Sequence, residues 1–392
     1  MSVSRRSFVS GLAAAMGYLG LGPGTDLFAQ GRGQAPGGAP SPAKPLDDFD
    51  RMARLHMNEN CWGPPDAVLK AMNQSFKYAG RYGNPGGDIA AEIAKHHGVK
   101  AENILLSPGS GGILSTVGVT FLMGGKTVLG VEPSYGSVYS HATSLKAKAI
   151  KLPLGKDYRQ DIPAMIKAAN QYASELGFVY LCNPNNPTGI IITKNEVQQL
   201  LDGIPKGMPV LIDEAYHHFV EDPAYSTSIP FALEGRPVIV ARTFSKIAAL
   251  AAMRLGYAIA PTELLEKMRP YHSSSTSVAA RYGGVASMRD PAIWADVKKK
   301  VIALRRKAKT ELEAYGYPVI PSEANFFMVH LGGRDVQPVI KEFEQKEVQV
   351  GRPFPPMTKH MRISIGREDE MERFMKAFKE IFPQKSLTAT LE

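Results

Sequence analysis

Between Thr243 and Arg254 the chain reads TFSKIAALAAMR, setting a lysine beside two hydroxyls and an arginine. A lysine attacks a carbonyl carbon only as the neutral amine, so a nucleophilic Lys246 needs surroundings that lower its pKa. Schiff-base formation with an aldehyde is the chemistry such a residue performs. Thr243, Ser245 and Arg254 are residue types that bind phosphate, the arginine through its two-pronged guanidinium. A lone Ser-Lys pair is ordinarily a solvated lysine beside a loop, and it is the remaining motifs that give this run another meaning. An aldehyde that also carries a phosphate, pyridoxal 5'-phosphate, would use all four residues.

That cofactor needs a carboxylate at its ring nitrogen, so that the ring can accept the electron pair released at a substrate's alpha carbon. Asp213, ending VLID, suits that position, although an acidic residue at a strand end is often only a turn carboxylate. Tyr216, three residues on, and Asn186 in NPNNPTG could both serve the phenolate oxygen, where donors lower the Schiff-base pKa. In LLSPGSGGIL, Gly109, Ser110 and Gly111 open an apolar helical segment, and backbone amides at a helix start bind dianions. Tyr135 could stack on the ring. Arg362 in MRISIG could clamp a substrate carboxylate, with Arg352 in VGRPFPP a second anion contact or a structural ion pair. No metal is expected.

Something must bring these motifs together. From about Tyr78 to Pro270, strand-length apolar runs (NILLS, KTVLGVE, AKAIKLPL, FVYLC, PVLIDE, VIVAR, GYAIA) alternate with helix-like segments. This predicts an α/β fold with a mainly parallel sheet sandwiched by helices. Several polar motifs follow those strands directly, and open sheets of this kind bind ligands at the carboxyl ends of their strands. After Ser277 a long amphipathic helix, two short strands (NFFMVHL, MRISIG) and a closing helix predict a smaller α+β domain. The expected organisation is a large domain at 77–276 and a discontinuous small domain at 46–76 and 277–392.

The first forty-five residues are of another kind. Arg5 and Arg6 precede Phe8 and a short apolar stretch rich in Gly and Ala, a pattern that resembles a twin-arginine export signal over residues 1–30. Residues 31–45, rich in Gly and Pro, read as a flexible linker. Export through the twin-arginine machinery implies a periplasmic protein, membrane-anchored only if the signal stays uncleaved. The two cysteines, Cys61 and Cys182, leave little room for a disulfide framework. A net charge of +9 invites a nucleic-acid reading, but the densest basic cluster, Lys298 to Lys309, lies on a helix with an apolar stripe. Nucleic acid is therefore not an expected partner.

Together HMNENCWGPP, RYGNPGG, SPGSGG, EPSYGSVY, CNPNNPTG, DEAYHHF, TFSKIAALAAMRLGY and MRISIG make the chain similar, over Leu55 to Phe382, to fold-type I pyridoxal-phosphate aminotransferases. Within these it most resembles the histidinol-phosphate aminotransferase-like group. The resemblance implies that Lys246 carries the Schiff base, Asp213 meets the pyridine nitrogen, and Asn186 and Tyr216 meet the 3-hydroxyl. It implies phosphate contacts from Ser110, Thr243, Ser245 and Arg254, stacking by Tyr135, and carboxylate binding by Arg362. It also implies a homodimer with shared sites, Tyr82 reaching the neighbouring subunit's phosphate. Three departures stand out. Gly111 and Gly112 follow Ser110 where an acidic residue is usual, and Cys61 and Trp62 replace the usual NENP ending, which alters the substrate side of the pocket. An exported chain is also out of place in histidine biosynthesis.

The expected reaction is transamination, moving an amino group from an amino acid or related amine to a 2-oxo acid, with Lys246 as nucleophile and then as proton carrier. The same cofactor also supports decarboxylation, beta elimination and racemisation, which differ in the bond aligned with the ring. A silent exported binding protein is the reading from another class, against which intact Lys246, Asp213 and Tyr216 weigh.

Overall fold

A computed structural model describes residues 46–83, 88–273 and 275–385. The export-signal and linker readings lie outside these residues. Leu46–Arg51 forms a short helix in a unit of its own, and the rest of the description concerns Met52 onward.

The strands, in chain order, are β1 (Ala53–Leu55), β2 (Ile104–Ser107), β3 (Thr127–Glu132), β4 (Lys148–Pro153), β5 (Leu176–Cys182), β6 (Val210–Asp213), β7 (Val238–Thr243), β8 (Gly256–Ile259), β9 (Val319–Ile320), β10 (Phe326–His330), β11 (Val348–Val350) and β12 (His360–Ser364). Seven of them, β2 to β8, make one sheet in the order β2-β8-β7-β6-β5-β3-β4. All seven strand-length runs read from the sequence are in it. Both faces of the inner strands are covered, so β6 and β7 are buried at every position and begin as apolar runs, their polar residues, Asp213, Arg242 and Thr243, falling at the carboxyl ends. The edge strand β4 instead carries Lys148 and Lys151, charges that discourage pairing with another chain.

Within that sheet β8 alone runs antiparallel to its neighbours, pairing with both β7 and β2. A parallel return from β7 would need a helical crossover. Here the chain reverses through 244–255, and that reversal is the TFSK segment. Register then does the positioning. Gly256 pairs with Thr243 on one side and Ser107 on the other, so the ends of β7 and β2 meet at the start of β8. On the next strands Cys182, Asp213 and Ala241 lie in one row.

A three-stranded antiparallel sheet, β12-β10-β9, and the parallel pair β1-β11 complete the strands. β1, β9 and β11 are two or three residues long, too short to leave a periodic signature. The long helix expected after Ser277 is two helices, Val278–Arg289 and Pro291–Ala314. Asp290 leaves the helical region because a proline follows it, and Pro291 starts the new helix where its missing N–H costs nothing. The closing helix, Glu368–Ile381, buries Met371, Phe374 and Phe378 on one face. Among the described residues no helix is long and apolar enough to cross a membrane.

Candidate active site

The carboxyl ends of β6 and β7, the TFSK loop and the start of helix Ser110–Leu122 enclose a cleft of about 400 Å³. Its walls include nine of the residues singled out above: Ser110, Gly111, Tyr135, Asp213, Tyr216, Thr243, Ser245, Lys246 and Arg254. They come from segments up to 144 residues apart in sequence, Ser110 to Arg254, and only the sheet register makes them neighbours.

One end of the cleft is a cluster of donors. Thr243 Oγ1 donates to Ser245 Oγ at 2.8 Å and accepts from the Ser245 amide at 3.1 Å, while Arg254 Nη1 lies 3.3 Å from Ser245 Oγ. Arg254 holds a positive φ of 56° and is tied down by the Ala251 carbonyl at 2.7 Å. The helix beside it begins with Gly109 as its N-cap, at φ 76°, and no side-chain cap bonds to its first amides among the described residues. Glycine is required here: a Cβ on Gly109 would run into the Arg254 guanidinium, and one on Gly256 would sit 2.5 Å from the Ser110 nitrogen.

Lys246, on the same cleft, donates through Nζ to the Met57 carbonyl at 3.2 Å and lies over the Tyr216 ring. Burial, reinforced by the Arg362 cation, lowers its pKa from 10.5 to about 8, with Glu59 and Asp213 opposing. Asp213 is 2% exposed, and burial raises its pKa to about 7. Its carboxylate accepts the Ala215 amide at 3.2 Å, and Lys246 contributes favourable charge. A buried carboxylate at that pKa gains most from a cationic N–H beside it.

Behind Tyr216 stands a polar network. Its hydroxyl accepts from Asn58 Nδ2 at 3.0 Å and from Asn186 Nδ2 at 3.2 Å. Asn186 Oδ1 accepts from Arg362 Nη1 at 2.6 Å, and Arg362 Nη2 donates to the His56 carbonyl at 2.6 Å. Arg362 Nε is buried with no acceptor among the described residues. Burial first, and then Arg352, pull the Arg362 pKa down to about 10, which leaves it charged at neutral pH.

Three of the predicted residues stand apart from the cleft. Arg352 is exposed, its guanidinium 4.2 Å from the Phe354 ring, which also lies 4.8 Å from the Arg362 guanidinium. Trp62 faces a different groove, beside Lys300 and Arg367. Tyr82 is fully exposed, in a groove with Tyr78, His272 and Arg281. Sequence reading gave no role to Asn58, although HMNENC was singled out. Its positive φ of 53° and its bond to Tyr216 are not local properties, and the one local signal was that asparagine tolerates that backbone region. It also gave no role to the buried pair of Arg242 and Glu214, joined at 2.6 Å, which underlies Asp213 and Thr243.

The family model described as aminotransferase class I and II matches residues 50–378. A histidinol-phosphate aminotransferase of Moorella thermoacetica is 31% identical over 357 residues, covering 87% of this chain and 89% of its own. The crystal structure of histidinol-phosphate aminotransferase from Sinorhizobium meliloti in complex with pyridoxal-5'-phosphate superposes with a TM-score of 0.78 at 24% identity, over 88% of this chain and 95% of that one. L-threonine-O-3-phosphate decarboxylase from Porphyromonas gingivalis shares the fold at 19% identity and a TM-score of 0.72, over 84% of this chain and 98% of its own.

Proposed function

The chain belongs to the aminotransferase class I and II family, and we propose that it is a periplasmic transaminase, with Lys246 as its covalent anchor and proton carrier. As a member of that family it is a pyridoxal-5'-phosphate-dependent aminotransferase. The observation that carries the site assignment is that Lys246, a lysine of lowered pKa, lines one cleft together with a buried carboxylate and a cluster of phosphate-type donors. The cleft fits the cofactor on its own terms. The cradle at Gly109 and Gly256 is open only because neither carries a Cβ, and Asp213 is a buried carboxylate with no side-chain cation bonded to it among the described residues.

When bound, the cofactor supplies an aldehyde that takes up the amino group and a ring that accepts an electron pair. Arg254, Thr243, Ser245, Ser110 and the amides of the helix start would hold its phosphate, Asp213 its ring nitrogen, Tyr216 and Asn186 its ring oxygen, and Tyr135 its face. Gly109 contributes by leaving room for Arg254. Lys246 Nζ, freed when the donor's nitrogen takes its place, removes the proton from the donor's alpha carbon and returns one during each half-reaction. Arg362 orients the donor and the 2-oxo acid acceptor by their carboxylates, its charge and its Nε, which has no acceptor among the described residues, being the attraction. Arg352, stacked on the Phe354 ring that Arg362 also approaches, is proposed to act on the distal part of the substrate, whereas Trp62 faces another groove and has no part in this reading.

Lys246→Ala should fold, retain cofactor only weakly and lose transamination altogether; sustained release of 2-oxo acid by that variant would sink the assignment. The wild-type protein, given a panel of amino acids, should convert to the amino form of the cofactor with release of 2-oxo acid, whereas carbon dioxide release would indicate decarboxylation instead.

The exposure of Tyr82 supports a homodimer in which it completes the neighbour's site. Equal amounts of inactive Tyr82→Ala and Lys246→Ala proteins, mixed and reassembled, should then recover about a quarter of wild-type sites. No recovery would count against sharing. The Arg5-Arg6 pair supports export, and replacing both with lysine should leave the protein in the cytoplasmic fraction.

A further inference from the structure

Asn58 and Ser364 lie at opposite ends of the chain and meet behind Tyr216. Both are buried, at 1% and 2% exposure. Ser364 Oγ accepts from the Asn58 backbone amide at 2.8 Å and donates to Asn58 Oδ1 at 2.9 Å. With Oδ1 turned to Ser364, Asn58 presents Nδ2 to the Tyr216 hydroxyl. Asn325 Nδ2 fixes the Asn58 carbonyl at 3.1 Å, holding the positive-φ backbone that aims this side chain.

The proton count follows from the donor inventory. A phenol has one proton and two acceptor sites. Both acceptor sites of Tyr216 are used, by Asn58 Nδ2 and Asn186 Nδ2, so its proton has no protein acceptor among the described residues. Tyr216 lines the cleft. If the Asn58 amide turned over, Oδ1 would take the Tyr216 proton. The Ser364 proton would then be stranded in a buried site, and that loss opposes the turn.

We propose that Ser364, acting through the amide of Asn58, is a positioning residue that makes Tyr216 an obligate hydrogen-bond donor into the cleft. This rests on the reading of Tyr216 as a partner of the cofactor's ring oxygen. A donor there stabilises the oxygen's anionic form, so it lowers the midpoint of the pH-dependent absorbance change of cofactor bound at Lys246. Strand β12 thereby sets the cofactor's protonation state through Ser364, two residues from the arginine that binds substrate on the same face of the strand.

The test is a spectroscopic pH titration of the holoenzyme. Ser364→Ala should raise the midpoint by about one pH unit, because Asn58 is then free to accept the Tyr216 proton. Ser364→Thr, which keeps the hydroxyl, should restore the wild-type midpoint. Tyr216→Phe should raise it as well, and the double variant Ser364→Ala with Tyr216→Phe should move no further than Tyr216→Phe alone. A folded Ser364→Ala protein with an unchanged midpoint, or a double variant in which the two shifts add, overturns the inference while leaving the transaminase reading in place. A wild-type protein whose absorbance does not respond to added cofactor, or responds equally in Lys246→Ala, overturns both.

Discussion

Replacing Lys246 with methionine should stabilise the cofactor-free protein. The unfolded chain's lysine titrates at the ordinary 10.5, whereas the folded site lowers it to about 8. At 1.36 kcal/mol per pH unit, keeping that ammonium in the folded site at neutral pH costs at most about 3 kcal/mol, less where cleft water reaches Nζ. Methionine has a similar length and no charge to desolvate, at the loss of one hydrogen bond to Met57 worth about 1 kcal/mol. A net gain of about 1–2 kcal/mol at pH 7 is therefore expected. The sign of the pH dependence is definite. Between pH 8 and 10.5 the unfolded state holds a proton that the folded state has released, so wild-type stability at this site rises with pH across that window. The methionine variant lacks that rise. Urea unfolding of both apoproteins at pH 7 and pH 10 measures it, and the variant's advantage should shrink at the higher pH. Equal or lower stability of the variant at pH 7, with no change in the difference by pH 10, would refute the claim that the site holds Lys246 against its preferred charge.

Two other expectations follow from packing and burial. Gly256→Ala places a methyl 2.5 Å from Gly109 and Ser110 backbone atoms and 2.7 Å from the Arg242 carbonyl. Backbone on every side leaves nothing to rotate away, so stability should fall by about 1–3 kcal/mol and cofactor affinity about tenfold or more. A thermal melt and a fluorescence titration with cofactor measure these, and wild-type values in both would contradict the close approach. His97, hydrogen-bonded to the Tyr257 hydroxyl at 2.7 Å, is lowered to about 3 by burial and then by the Arg242 and His96 charges. His217 and His218 are held neutral in the same region, against Arg242 and with Lys298 facing His218. As pH falls below 6.5 the unfolded chain binds protons that the folded chain refuses, so stability is lost from 6.5 downward toward 3. His97→Gln should flatten the acid limb of a stability profile by about 1.4 kcal/mol per pH unit, and an unchanged slope would show that His97 is not neutral in the fold.

The seven strands of the large sheet were legible because strands buried on both faces must be nearly all apolar, as PVLID and VIVAR are. The reactive residues were legible because lysine, aspartate and the phosphate-type cluster sit directly after such runs. β1 and β11 were not, since three residues carry no period, and neither was the antiparallel course of β8, because apolar content does not encode direction.

Chemistry-bearing types and their strand-end positions are local facts, and the chain states them without folding. Which of them share a cleft is a matter of register, and register brings Ser110, Asp213 and Lys246 to one cleft while leaving Trp62 and Tyr82 in other grooves. The electrical state of Lys246 is likewise a property of the assembled site, because burial and the Arg362 charge exist only once distant segments have closed around it. The same holds for Asn58, whose amide is oriented by a serine 306 residues away. Hydrogen-bond direction depends on what stands opposite each atom, and only the folded chain decides that.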